Sequence, residues 1–192
     1  MRYGIFGGSF NPVHNGHVII ANLVLEYLKL DLLYVVPAKI PPHKIGERIV
    51  GFNLRYRWIR KVFEGSKKIV VSDVEGKRKE KSYTIYTIEH FISVHKEKPY
   101  LIIGSDNALN FDKWFMYERI IELSKVCVYP RRGYERRSDS NSVDLEKFEW
   151  LDLPLIDISA SAIRRRIIEG KPIDGYVPKS IIDEILEVYT MM

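Results

Sequence analysis

The sequence predicts an α/β protein with a mostly parallel sheet, and three observations support that fold class. Short β-branched apolar runs alternate with longer amphipathic segments along the whole chain. The runs 32–36 and 99–103 are apolar almost throughout, as strands covered on both faces are. The chain has 192 residues, which is enough for one sizeable core, so a single domain over residues 1–192 is expected.

Strands are expected over residues 3–6, 32–36, 68–72, 99–103 and 125–129, with a short last strand within 148–153. Helices are expected over 16–29, 52–63, 82–95 and 159–169, and a last helix starts within 176–180 and runs to 189. Asn53, Ser82 and Ser159 are candidate N-caps. Helix 16–29 is apolar nearly all round, which predicts burial of most of its surface. The order predicts a Rossmann-like, doubly wound sheet with a small C-terminal helical portion over about 157–192.

The composition favours a protein of a reducing compartment. The lone Cys127 excludes an internal disulfide. No run of about eighteen apolar residues exists, so no membrane span is expected. The first residues enter a strand without the pattern of a signal peptide. We therefore expect a cytoplasmic protein without a membrane partner.

The net charge of +5 admits two interpretations. Basic residues cluster at 77–81, 131–137 and 164–166, where they could bind nucleic acid or hold a polyphosphate. No helix-turn-helix, zinc-finger or RNA-binding signature is present, so no nucleic-acid partner is expected. A basic nucleotide- or RNA-binding module remains the non-enzyme alternative. The charged segments 73–81 and 134–144 have the composition of mobile surface loops.

The first candidate site lies at the start of the chain. The predicted strand 3–6 runs into a glycine turn, Gly7-Gly8, and a helix follows His14-Asn15-Gly16-His17. Glycines let a backbone approach a ligand closely, and a helix N-terminus offers unpaired N–H groups and a positive dipole end. Such a strand, turn and helix make a phosphate site with two imidazoles at its mouth. The competing interpretation is a pair of structural histidines beside a turn.

The second candidate phosphate site is Asp157-Ile158-Ser159-Ala160-Ser161-Ala162-Ile163-Arg164. Ser159 can cap a helix on which Ser161 and Arg164 share one face near the start. A hydroxyl, free N–H groups and a guanidinium would converge there, which suits a diphosphate. A capped amphipathic helix with surface arginines is the alternative.

These motifs resemble those of the nucleotidylyltransferase family. The form Gly-Gly-Ser-Phe-Asn-Pro-x-His-x-Gly-His is similar to that of one branch, the nicotinate-nucleotide adenylyltransferases. Asn11 stands where that branch often has Asp, and the second motif departs from Ile-Ser-Ser-Thr-x-Ile-Arg at Ala160 and Ser161. Six short motifs occur in the family's order over residues 1 to about 182.

The resemblance implies transfer of AMP from ATP to nicotinate mononucleotide, giving deamido-NAD and pyrophosphate, with Mg²⁺ accompanying ATP. It implies His17, His14 and Arg164 as catalytic residues, and no residue that ligates metal by itself. The implied ATP and phosphate contacts are Gly7, Gly8, Ser9, Phe10, Gly16, Lys44, Ser159, Ser161 and Arg164. The implied contacts to nicotinate mononucleotide are Thr84, Tyr83, Gly104, Asp106, Trp114, Phe115 and Arg132. Arg48 and Arg55 are further candidates for phosphate charge.

Three alternatives stay open at the level of sequence. A sister transferase acting on phosphopantetheine would share both phosphate motifs without needing Ser82-Tyr83-Thr84 or Trp114. An enzyme acting on nicotinamide mononucleotide would differ only in the second pocket. The third is the non-catalytic module named above. The sequence leaves open both a monomer and a homo-oligomer.

Overall fold

The computed structural model describes residues 1–42, 49–134 and 143–192. These residues form one six-stranded sheet in the order β3-β2-β1-β4-β5-β6, and neighbouring strands run parallel. The strands are β1 (Tyr3–Gly8), β2 (Leu32–Pro37), β3 (Ile69–Val71), β4 (Tyr100–Gly104), β5 (Lys125–Tyr129) and β6 (Glu149–Trp150). The α-helices are α1 (Asn15–Tyr27), α2 (Phe52–Val62), α3 (Thr84–His95), α4 (Ser105–Ala108), α5 (Tyr117–Leu123), α6 (Ala160–Ile168) and α7 (Ile182–Thr190). Single 3₁₀ turns occur at Phe111–Lys113, Leu145–Lys147 and Lys179–Ile181.

The predicted α/β, doubly wound fold is confirmed. Strand order reverses between β1 and β4, and in open α/β sheets ligands bind at the carboxyl ends of the strands beside such a reversal. Alternate strand residues face opposite sides of the sheet, so Ile102 packs with α1, α2, α6 and α7 while Leu101 packs with α3 and α5. The C-terminal helices α6 and α7 share their hydrophobic cluster with α1 through Ile163 and Ile185.

Several element boundaries differ from the sequence prediction. Gly7 and Gly8 do not form the predicted turn but extend β1, in register with Val36 and Pro37. The expected last strand within 148–153 is reduced to Glu149–Trp150. Helix α1 buries only one side, since Ile19 is 38% exposed, so the prediction of burial over most of its surface was wrong. An apolar helix sequence does not reveal how many neighbours will cover it.

Two of the three predicted N-caps are replaced. Ser159 caps α6 and accepts the Ala162 N–H at 3.2 Å, as predicted. Asn53 lies inside α2, whose N-cap is Gly51. The N-cap of α3 is Tyr83, because the Ser82 hydroxyl is used instead to accept the Lys39 N–H at 2.8 Å.

The segment 73–81, whose charge predicted a mobile surface loop, makes several contacts with the rest of the protein. Arg78 donates to the Tyr86 carbonyl at 2.6 Å and to the Thr87 hydroxyl at 3.2 Å, which fastens the segment to α3. Lys39 Nζ donates to the carbonyls of Gly76 and Arg78. Arg78 and Lys39 therefore join this segment to α3 and to the loop after β2. Most of the other predicted loop, 134–144, lies outside the described residues.

Candidate active site

A cavity of about 490 Å³ opens at the carboxyl ends of β1 and β4. Its lining residues come from both halves of the sheet. On the β1 side are Gly7, Gly8, Ser9, Phe10, His14, His17, Ser159, Ser161 and Arg164, and on the β4 side are Tyr83, Thr84, Gly104, Asp106, Trp114 and Phe115. The fold thus brings most of the sequence-predicted site residues to one cavity. Lys44 and Arg48 lie outside the described residues.

The two histidines of the first motif form a stacked pair at the start of α1. Their ring centroids are 3.7 Å apart with an interplanar angle of 26°. His17 Nδ1 accepts the backbone N–H of His14 at 3.2 Å. A neutral imidazole that accepts at Nδ1 carries its hydrogen on Nε2. The geometry therefore presents His17 as an Nε2–H donor, held from behind by the backbone.

Both imidazoles are neutral at pH 7. Burial lowers the pKa of His14 to about 3, and the positive charge of Arg131 lowers it further. Burial, His14 and Arg131 hold the pKa of His17 well below its usual value of 6.5. Within the described part of the chain, His14 Nδ1 is buried without a hydrogen-bond partner. Both rings therefore act as neutral hydrogen-bonding groups and not as cations.

The second phosphate motif lies against the first. Arg164 Nη1 donates to the Asn11 carbonyl at 2.7 Å, which joins α6 to the loop after β1. The hydroxyls of Ser159 and Ser161 are 3.4 Å apart at the start of α6. A guanidinium, two hydroxyls and a helix N-terminus therefore face the same cavity as the histidine pair.

Gly16 takes a different place from the one predicted. It does not line the cavity but is buried at the contact between α1 and the segment before α6. A Cβ at this position would lie 3.0 Å from His14 Nδ1 and 3.2 Å from Ile158 Cβ. The absence of a side chain at Gly16 therefore allows close packing of the two phosphate motifs.

The far end of the cavity is an aromatic pocket at the N-terminus of α3. Phe115 lies against Tyr83 with ring centroids 4.6 Å apart, and Trp114 stacks on Phe111 at 5.0 Å and 25°. Thr84 opens α3, whose first turn contains no acidic residue. Unpaired N–H groups and the positive dipole end make such a terminus favourable for a carboxylate.

Asp106 sits between these two regions, just after β4. Its Oδ1 is buried without a hydrogen-bond partner in the described residues, and its carboxylate lies 3.8 Å from Arg131 Nε. A Cβ on Gly104 would overlap Asp106 Oδ1 and would lie 2.7 Å from Arg131 Cδ. Gly104 thus allows a carboxylate and a guanidinium to share the cavity wall.

The cavity-lining arginine after β5 is Arg131, whereas the sequence analysis selected Arg132. Arg132 points to the surface, where it pairs with Asp157 at 3.1 Å and is 73% exposed. The backbone N–H of Arg131 donates to the Ser105 hydroxyl at 3.0 Å, which fixes its position. Two adjacent arginines alternate in direction, and the sequence alone did not show which one turns inward.

Glu75 is a cavity-lining residue that the sequence analysis did not select. It is 7% exposed, and its Oε1 accepts the Thr87 hydroxyl at 2.8 Å. Burial raises the pKa of its carboxyl group. Its only signal in the sequence was a position within a charged segment, which is more typical of solvent-exposed surface.

Over 1–42, 49–134 and 143–192, no cluster of three or more His, Cys, Asp or Glu side chains could hold a metal ion. None of the helices described there is both long and apolar enough to cross a membrane.

A doubly wound sheet with two facing phosphate motifs at its switch point defines a protein of the nucleotidyltransferase class. A cytidylyltransferase-like family model matches residues 5–166. A Thermotoga maritima protein named probable nicotinate-nucleotide adenylyltransferase is 44% identical over 191 residues, which span 98% of this chain and 92% of that protein. A Clostridium tetani protein of the same name is 39% identical over 186 residues, 93% of this chain and 92% of that protein.

The chain belongs to the cytidylyltransferase-like family, in its nicotinate-nucleotide adenylyltransferase branch. The fold agrees with solved structures. Plasmodium falciparum nicotinic acid mononucleotide adenylyltransferase complexed with NaAD has a TM-score of 0.79 and 20% identity, covering 100% of this chain and 98% of that one. A putative nicotinate-nucleotide adenylyltransferase from Vibrio parahaemolyticus has a TM-score of 0.68 and 22% identity, covering 97% and 99%.

Proposed function

We propose that this nucleotidyltransferase transfers AMP from ATP to nicotinate mononucleotide, releasing pyrophosphate and forming deamido-NAD. The observation that carries this proposal is one continuous cavity with two facing phosphate motifs on one side and an aromatic, anion-favouring pocket on the other. The names of the relatives and the NaAD complex of the Plasmodium protein support the same reaction.

The reaction needs no covalent intermediate on the protein. The phosphate monoester of nicotinate mononucleotide has a second pKa of about 6, so it is mostly a dianion at pH 7 and needs no general base. One of its oxygens attacks the α-phosphorus of ATP in line. The bond from the α-phosphorus to the bridging oxygen breaks, and that oxygen leaves with pyrophosphate. Catalysis then depends on positioning and on stabilising charge at the α-phosphate.

Roles follow from position in the cavity. His17 donates its Nε2–H to an α-phosphate oxygen, and His14 contacts the triphosphate beside it. Backbone groups of Gly7, Gly8, Ser9 and Phe10 line the phosphates. Ser161 and Arg164 hold the departing pyrophosphate, with Ser159 forming the start of α6. The family resemblance adds Lys44, which lies outside the described residues.

The second substrate occupies the β4 side. The N–H groups and hydroxyl at Tyr83 and Thr84 bind the pyridine carboxylate, and Trp114 with Phe115 forms the wall against the ring. Asp106 accepts ribose hydroxyls, with Gly104 leaving space for it. Arg131, rather than Arg132, is positioned to neutralise the attacking phosphate.

Mg²⁺ would accompany ATP in this site, as an ion that typically takes its ligands from substrate phosphates and water. Bound there, Mg²⁺ supplies neutralisation of phosphate charge. Arg164 and Ser161 would lie beside the same oxygens. The proposal is for a cytoplasmic enzyme of small-molecule substrates, without nucleic acid or membrane partners.

The test is pyrophosphate release from ATP and Mg²⁺ with three acceptors offered separately. Turnover with nicotinate mononucleotide, at least tenfold faster than with nicotinamide mononucleotide, is expected. Equal rates with these two would retain the reaction and remove the proposed carboxylate pocket at Thr84. Release only with phosphopantetheine would assign the sister reaction. No release with any acceptor, together with RNA binding that weakens steeply with salt, would assign the non-catalytic module.

A further inference from the structure

Arg55 is a buried cation that the reaction described above does not use. It lies on α2, is 1% exposed, and does not line the cavity. The sequence analysis considered it a candidate for phosphate charge, but its donors point elsewhere. An arginine keeps its charge at neutral pH even though burial lowers the pKa of Arg55. A buried charge persists only where other groups solvate it.

Three backbone carbonyls from two loops, the β1–α1 and the β2–α2 connections, solvate this guanidinium. Nη1 donates to the Ser9 carbonyl at 2.5 Å, Nη2 to the Ala38 carbonyl at 2.8 Å, and Nε to the Val50 carbonyl at 2.6 Å. Ser9 follows β1 and Ala38 follows β2, and both line the cavity. One rigid, planar group therefore sets the distance between two cavity-lining loops.

Holding a carbonyl also orients the N–H group on the other side of the same peptide. In a trans peptide the two groups point in opposite directions. At Ala38 the consequence is visible, because the next N–H, that of Lys39, donates to the Ser82 hydroxyl at 2.8 Å. Ser82 directly precedes Tyr83 and Thr84, so Arg55 is linked to the proposed pyridine pocket through one peptide and one hydroxyl.

The same geometry holds on the ATP side. Phe10 has φ of +46°, an unfavourable left-handed conformation for a residue with a side chain. Arg55 binds the carbonyl of the preceding residue, Ser9, and Arg164 binds the carbonyl of the following residue, Asn11. A strained residue of this kind persists where its surroundings over-determine it. The Phe10 N–H, on the other side of the same trans peptide, consequently points away from Arg55.

We infer that Arg55 is a positioning residue for adenylyl transfer: it fixes the ATP-side loop and the pyridine-side turn at the separation that in-line attack requires. This inference rests on the proposed function. Its specific consequence is that loss of Arg55 slows the chemical step more than it weakens either substrate alone. Each loop keeps its own binding groups, and a misplacement of about 1 Å between two reactants costs on the order of 10²-fold in rate.

The test compares Arg55→Lys and Arg55→Gln with Arg60→Gln, an exposed arginine on the same helix. Circular dichroism gives each Tm, and kcat is measured well below it. Calorimetry measures the Kd of a non-hydrolysable ATP analogue and of nicotinate mononucleotide separately. Arg55→Gln is expected to lower kcat by about 10²-fold, with each Kd within about threefold of wild type. Arg55→Lys keeps the positive charge but lacks the planar guanidinium, and it should lower kcat more than tenfold. Arg60→Gln should have the kcat of wild type.

A folded Arg55→Lys protein with wild-type kcat would overturn the inference, as would loss of ATP affinity alone. If both Arg55 variants fail to fold, Ser82→Ala tests the same link from its other end. It removes the acceptor of the Lys39 and Ile40 N–H groups and is expected to lower kcat by about tenfold with both Kd values kept. An unchanged kcat would overturn the inference. The wild-type protein in the same assay separates the two proposals, since absence of turnover with every acceptor would remove both.

Discussion

Replacing His17 by Asn tests how the structure uses its imidazole pair. The Asn side-chain oxygen can stand close to where His17 Nδ1 stands and can accept the same His14 N–H, now 3.2 Å from Nδ1. The substitution therefore keeps the start of α1 while removing the Nε2–H donor. His17→Gln is the matched control, because its longer amide places an N–H near the former Nε2.

The expected effect is large on kcat and small on stability. Removing one preorganised donor to a developing negative charge costs about 10²–10³ in kcat, or roughly 3–4 kcal/mol. Loss of the stack on His14 and of the contact with Phe10, whose ring centroid is 4.8 Å away, should lower the free energy of unfolding by about 1 kcal/mol. His17→Gln should retain part of the activity that His17→Asn loses.

Steady-state kinetics with saturating nicotinate mononucleotide gives kcat and the KM for ATP. His17→Asn should lower kcat far more than it raises that KM. Nitrogen-15 NMR of the free protein adds an independent check, since His17 should stay neutral and protonated at Nε2 between pH 8 and 6. An unchanged kcat, or a His17 that titrates near 6.5, would refute the assigned role.

Three further predictions concern buried groups and the pyridine pocket. The wild-type protein should lose stability as pH drops below 6.5, because the unfolded His14 imidazole binds a proton there and the folded one resists protonation to about pH 3. In His14→Gln this loss should be smaller than in wild type by up to about 1.4 kcal/mol per pH unit. The same slope in urea titrations of both proteins would count against the lowered pKa. Burial raises the pKa of Glu75, so the contribution of this one group to the stability of the native protein falls as pH rises above 4.5. Glu75→Gln should therefore gain stability over wild type at pH 7 but not at pH 4, and a constant difference would contradict this. Trp114→Leu should raise the KM for nicotinate mononucleotide about tenfold while the KM for ATP stays within twofold, and equal changes would show that Trp114 serves only to pack against Phe111.

The sequence predicted the fold class because its signals are local. Apolar runs such as 32–36 and 99–103 and the cap at Ser159 depend on neighbouring residues alone, and the structure places strands or a helix there. The ends of helices were less predictable where a side chain bonds a residue distant in sequence. Ser82 could not be recognised as the acceptor for Lys39, a residue 43 positions earlier, rather than as a helix cap.

The candidate site divides in the same way. Two motifs, one with His14 and His17 and one with Ser161 and Arg164, are each contiguous in sequence. Their chemistry could therefore be recognised before the fold was known. That they face one cavity with the residues after β4 depends on strand order, since β1 and β4 become neighbours only in the assembled sheet.

By itself, then, the sequence determined the α/β class, the two phosphate motifs and the family. The tertiary structure decided that Arg131 rather than Arg132 turns into the cavity, that Glu75 is buried, and that Arg55 holds backbone carbonyls instead of phosphate. The physical reason is that residue type and spacing fix which interactions a side chain can make. Burial and partners come from segments distant in sequence, and they decide which of those interactions it does make.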